Sequence, residues 1–174
     1  MIKKLKLKDI VLLSLLAALM CIGDFAMEWL PNVHFVGVLI VATTAVYGIW
    51  ALLPIYVYVF IQGFVAGFGL WWIAYLYIWA VPWLLVVLIP KKIPEIVKIV
   101  LYIVVCAAHG FLFGTLYAPS QVLLFFGGDF SKMIPWIIAG IPFDITHGIS
   151  NLVSGIFLVY PIIKILKFSD KYAK

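Results

Sequence analysis

Asp144, His147 and Asn151 stand in the stretch GIPFDITHGISN (140–151), inside a run that is otherwise apolar. Their i, i+3, i+7 spacing puts them on one stripe of a helix, with Gly140 and Gly148 one turn to either side of Asp144. A carboxylate beside an imidazole can relay a proton, hold a cation or hydrogen-bond a polar ligand. In hydrocarbon a charged side chain costs at least about 2.5–3.5 kcal/mol, so an ionisable pair there marks a site by default. Asn151 taken alone reads first as a helix–helix contact.

Further candidates lie elsewhere in the chain. Asp24 and Glu28 are one turn apart, and Asn32 and His34 follow just past Pro31. Asp24 reads as a site residue, whereas Glu28 beside Trp29 divides evenly between a site and a side chain in water. Tyr75 and Trp79, at i and i+4, could offer a stacking face to a ring, although aromatic stripes are more often packing. Trp71 and Trp72 suit an interfacial belt. His109 beside Gly110 reads first as a satisfied core histidine and second as a pocket residue. Cys21 and Cys106 lie in apolar runs without metal spacing, as small buried hydrophobes.

These residues must be positioned by membrane helices. The 174-residue chain is 67% hydrophobic and 11% charged, with a mean hydropathy of +1.22. A soluble domain is about 45–50% apolar and about 25% charged. The net charge of +5 falls in three short clusters rather than on one face, so nucleic acid is not the partner; the lipid bilayer is. The lysine-rich start followed by IVLLSLLAALMC resembles a lipoprotein signal, but Met20 stands where cleavage wants a small residue. That stretch is read as the first span. Punctuation by Pro, Gly and charge predicts six helices over residues 10–30, 35–50, 52–68, 71–89, 95–117 and 135–166. The expected fold is therefore an all-α membrane protein, a single transmembrane domain over 1–174. With six crossings the Lys clusters at Lys3–Lys8, Lys91–Lys98 and Lys164–Lys174 share one side. The positive-inside rule makes that side, with both termini, cytoplasmic. The candidate polar groups then fall between the midplane and the outer surface, the profile of an outward-facing pocket.

At this point the whole chain resembles a substrate-binding S component of an energy-coupling factor (ECF) vitamin transporter. LSLLAALMC in the first helix is similar to that family's small-xxx-small docking motif, here as Ser14-x-x-x-Ala18 and Ala17-x-x-x-Cys21. GIPFDITHGISN is similar to the last-helix segment of some members. The resemblance implies a multi-pass protein of the bacterial plasma membrane that captures a vitamin or precursor from outside. It would dock through Ser14, Ala17, Ala18 and Cys21 on a membrane scaffold subunit driven by two cytoplasmic ATPases. It would be no enzyme itself, and would need no cofactor or metal. Asp24, Asn32, His34, His109, Asp144, His147 and Asn151 would bind the ligand, with Tyr75 and Trp79 as stacking partners. Three acids favour a neutral or cationic ring, such as a thiamine-like or pyrimidine-precursor ligand, over a strongly anionic one.

Other classes compete. An ion-coupled secondary transporter would use Asp24, Glu28 or Asp144, but usually needs repeats or broken helices. An intramembrane zinc enzyme could draw on His109, His147 and a carboxylate, yet no HExxH motif is present. The same residues could hold a metal ion as cargo, against which the abundant aromatics argue for an organic ring.

Overall fold

The computed structural model describes residues 5–172; Lys3, Lys4 and Lys174 of the basic clusters lie outside the described residues. Those residues form eight α-helices and no strand: α1 Leu7–Met27, α2 Val36–Tyr47, α3 Leu52–Ala66, α4 Leu70–Ile78, α5 Ala80–Leu88, α6 Glu95–Phe111, α7 Phe113–Phe125 and α8 Met133–Tyr172. Four helical stretches are long and apolar enough to cross a membrane: Leu7–Met27, Val36–Ala66, Leu70–Leu88 and Phe130–Asp170. The pair α6–α7, bent by 42°, makes a fifth if it is one span. The chain is thus an all-helical, multi-pass membrane protein.

The contacts give the helices their directions. Leu13 and Leu16 of α1 cluster with Tyr47 at the end of α2, Leu53 at the start of α3, and Leu166. Further along α1, Met20 and Cys21 meet Val36, Leu39 and Ile40 at the start of α2, and Ile55, Tyr58 and Val59 of α3. α2 therefore runs against α1, and α3 runs with it. The reversal falls at Gly48, whose φ of +58° glycine adopts without Cβ strain. Gly48 is followed by a short 3-10 turn, Gly48–Ala51. Its carbonyl accepts the indole N–H of Trp83 at 3.1 Å, which ties the reversal to α5.

α2 is the centre of the bundle, with ten of its twelve residues buried. A helix apolar on all sides is a buried helix. It packs on α8, α5, α6 and α1, and α8 lies along α6 in the most extensive helix pairing. That pairing relies on small residues. A Cβ at Gly110 would sit 2.8 Å from Gly148 Cα and 2.8 Å from His147 O. Close backbone approach of this kind is how membrane helices gain dispersion contact without a hydrophobic driving force.

One end of the bundle is basic. Lys8 donates to the Asp170 carbonyl at 3.3 Å, and Lys167 pairs with Glu95 at 2.9 Å. Lys98 donates to the Lys91 carbonyl at 2.6 Å. The described parts of all three basic clusters meet here. At the far end, a tight turn joins α7 to α8. There Asp129 accepts the Ser131 hydroxyl at 2.5 Å and the Ser131 amide at 3.1 Å. That hydroxyl, with the Ser131 amide and Lys132, holds the Asp129 carboxyl below the usual carboxylate range.

Several boundaries differ from the pattern-based ones. α1 ends at Met27 rather than at 30, and the Trp29 indole then donates to the Ala26 carbonyl. The helix expected over 95–117 is two helices that break at Leu112. The second runs through Pro119, beyond the expected end at 117. Proline removes one donor and crowds the preceding turn, but inside a membrane protein neighbouring groups accommodate it.

Candidate functional site

The polar residues gather at the end of the bundle away from the three lysine clusters. By helix rise, Asp24 lies about 24 Å along α1 from Lys8, His109 about 21 Å along α6 from Glu95, and His147 about 30 Å along α8 from Lys167. They fall into two compartments that share the ring of Phe113.

The first compartment is a closed polar knot. Asp24 accepts from His34 Nδ1 at 3.0 Å, from the Tyr58 hydroxyl at 3.0 Å, and from Gln62 Nε2. A carboxylate only accepts, so His34 carries its proton on Nδ1 in this pairing. The His34 ring meets that of His147 edge-on at 5.1 Å, and His147 lies 6.2 Å from His109. His109 is placed by a proline. Pro82 cannot donate to Ile78, four residues back, and His109 Nε2 donates to that carbonyl at 3.2 Å instead. Trp79 lies beside it, 5.3 Å from the His109 ring and 5.7 Å from Tyr58. Four buried polar atoms of this region, Trp79 Nε1, His109 Nδ1, His147 Nε2 and Asn151 Oδ1, make no hydrogen bond among the described residues. Buried polar groups are nearly always paired, so four together form a reservoir of unmet bonding capacity.

The second compartment is a cavity of about 390 Å³ between α7 and α8, lined by Asn32, Phe113, Tyr117, Trp136, Phe143 and Asp144. Asn32 stands at φ +62°, a left-handed conformation that asparagine tolerates better than most residues. Asp144 is 8% exposed, and its Oδ1 accepts the Gly114 amide at 2.8 Å. That amide is among the free N–H groups at the start of α7, where the helix dipole favours an anion. The break at Leu112 therefore creates the seat for the carboxylate. A Cβ on Gly114 would come within 2.7 Å of Asp144 Oδ2, so the seat admits only glycine without a shift. Phe113 joins the compartments: it lines the cavity and packs 5.0 Å from His147.

The expected stripe therefore divides by depth. Asp144 faces α7 and the cavity, and His147 faces the knot. Asn151 is wholly buried and donates to the Cys106 carbonyl at 3.1 Å, wedged against Gly37 and Gly110. Its amide nitrogen makes the helix–helix contact expected of an asparagine taken alone, while Oδ1 makes no hydrogen bond among the described residues. Asp24, expected as a polar contact to the ligand, accepts from three side chains of the protein. Tyr75 and Trp79 do meet, at 5.6 Å and edge-on, and both also contact Phe113, Tyr75 edge-on and Trp79 at a tilt. Glu28 is exposed. Among the described residues no group of three His, Cys, Asp or Glu side chains could hold a metal ion. On α1, Ser14 and Ala18 face outward, whereas Ala17 is 1% exposed and Cys21 is buried in the core. Of the expected docking set, the Ser14-x-x-x-Ala18 pair lies on the outer face of α1 and the Ala17-x-x-x-Cys21 pair on its packed face.

Sequence reading missed Tyr58, Phe113, Gly114, Tyr117, Trp136 and Phe143. Gln62 carried a usable signal, as a lone amide in an apolar helix that must find a partner. The aromatic walls carried none, since aromatics are spread along the whole chain.

Compared with known proteins, the chain matches no family model, no curated protein and no solved structure.

Proposed function

We propose that the chain is the substrate-capture subunit of an ECF-type importer, taking a vitamin or vitamin precursor from outside. The observation that carries this reading is the α7–α8 cavity, far from the lysine-rich end and backed by the unsatisfied knot. Ligand sites are concave and mostly apolar, with a few placed polar groups, and this cavity has that make-up. Its polar groups, Asp144 and Asn32, sit among aromatic side chains.

In this reading the chain crosses the bilayer six times: α1, α2, α3, α4 with α5, α6 with α7, and α8. Both termini are cytoplasmic in the bacterial plasma membrane. The antiparallel runs of α2 and α3 and the shared basic end support that count. Ser14 and Ala18 form the docking face for the scaffold, and two partner ATPases supply the energy. The chain itself catalyses no reaction.

The alternative of an ion-coupled transporter needs an acid that exchanges its partner: Asp24 is held by three donors, whereas Asp144 keeps Oδ2 without a hydrogen bond, so uptake by this chain alone is the outcome that separates the two readings.

The test is calorimetry of the purified protein against a vitamin panel, paired with uptake in cells that hold or lack the scaffold and ATPases. Tight binding of one compound, with uptake only when the scaffold is present, supports the proposal. Uptake by this chain alone, driven by an ion gradient, overturns it.

A further inference from the structure

Asp144 holds its position with one oxygen only. Oδ1 caps α7 through Gly114, while Oδ2 has no hydrogen bond, and the carboxylate has no ion-pair partner among the described residues. The cavity it lines contains no Lys, Arg or His. Lys132, the described lysine nearest in sequence, pairs with Asp129 at 3.6 Å and lies over the Phe126 ring at 5.3 Å. Four aromatic side chains, Phe113, Tyr117, Trp136 and Phe143, line it beside Asn32, Gly114, Ala139 and Gly140. A carboxylate beside aromatic rings attracts a cation by charge, and each ring that turns its face to the cation adds its quadrupole. An anion would add a second negative charge where no basic side chain lines the cavity, and a neutral ligand would leave the Gly114 amide and the start of α7 as the only offsets to the Asp144 charge.

We infer that this cavity takes an organic cation, a ring-bearing ammonium whose charge rests on Asp144 Oδ2 and whose apolar part lies between Phe113, Tyr117 and Trp136. The inference rests on the capture reading of the same cavity and adds the ligand class. A volume of about 390 Å³ falls within the roughly 300–1,000 Å³ typical of small-molecule sites.

The probes are benzyltrimethylammonium and benzylamine, with benzyl alcohol as the neutral control and benzoate as the anionic one. They are titrated onto the purified protein in lipid nanodiscs and read by saturation-transfer NMR. Both cations should saturate, with the controls at least roughly tenfold weaker. Asp144→Asn keeps an oxygen for the Gly114 amide, so the fold stays and the melting temperature holds, while cation affinity falls roughly ten- to a hundredfold. Trp136→Leu should also weaken the cations. The inference is overturned if benzyl alcohol binds as well as the cations, if neither cation saturates, or if Asp144→Asn leaves cation affinity within about twofold. Capture is judged separately: scaffold-dependent uptake of a neutral vitamin would keep the capture reading and remove the cation. Asp144-dependent cation binding without scaffold-dependent uptake would do the reverse.

Discussion

Asp24 shows how one side chain can organise a site from within the protein. Its carboxylate gathers groups from three segments: α1, the His34 loop and α3. The bond to His34 Nδ1 leaves the opposite edge of that ring free of the carboxylate, and the ring meets His147. Asp24→Ala strands Tyr58 and Gln62, both buried. Each buried group left unpaired costs about 1–3 kcal/mol, so a drop of several degrees in melting temperature is expected in thermal unfolding of the detergent-purified protein. Asp24→Asn still accepts one or two of these bonds and should fall between the two. Equal melting temperatures for all three proteins would show that the carboxylate holds nothing together. The need for Asp24 was legible in the sequence, since a lone acid in a membrane helix must be compensated. Its partners were not, because Tyr58 and Gln62 are 34 and 38 residues away and only the α1–α3 pairing brings them in.

At the scale of elements, prolines and glycines decide the geometry. Pro82 frees the Ile78 carbonyl that orients His109, and the α6–α7 break supplies the amide that seats Asp144. The apolar runs made most of the helices legible. The break at Leu112 was illegible, since neither Gly110 nor Gly114 marks it and the bend follows from packing on α4 and α8. Gly110 permits the α6–α8 approach, so Gly110→Val should force these helices apart. Overpacking typically costs about 1–3 kcal/mol, and the loss should appear as a lowered melting temperature with reduced ligand affinity. A Gly110→Val protein as stable as the parent would mean the close approach is dispensable.

The first helix offers a paired test at the same scale. Ala18 faces outward and Ala17 is buried, so two neighbouring positions should answer differently. Ala18→Trp is expected to keep ligand binding in the isolated protein and to abolish scaffold-dependent uptake. Ala17→Trp should instead lower the yield of folded protein, because no space exists for the indole. Wild-type uptake by Ala18→Trp would remove α1 as the docking face.

For the whole molecule, the decisive question is how many times the chain crosses. By length and composition alone there are four spans, or five with the bent pair, because α2 and α3 follow each other through a continuous helical run. The contact order along α1 separates them: the junction at Gly48 meets the basic end, and the far ends of α2 and α3 meet the Asp24 region. Six crossings place Asn32 outside and Lys91 inside; a single long α2–α3 span would put these two sites on the same side. Both native cysteines, Cys21 and Cys106, are buried and should stay silent toward a membrane-impermeant maleimide. Asn32→Cys is therefore expected to label in intact cells, whereas Lys91→Cys should label only after the membrane is opened. Labelling of Lys91→Cys in intact cells would break the shared basic face, and with it both the six-span count and the cytoplasmic placement of the termini.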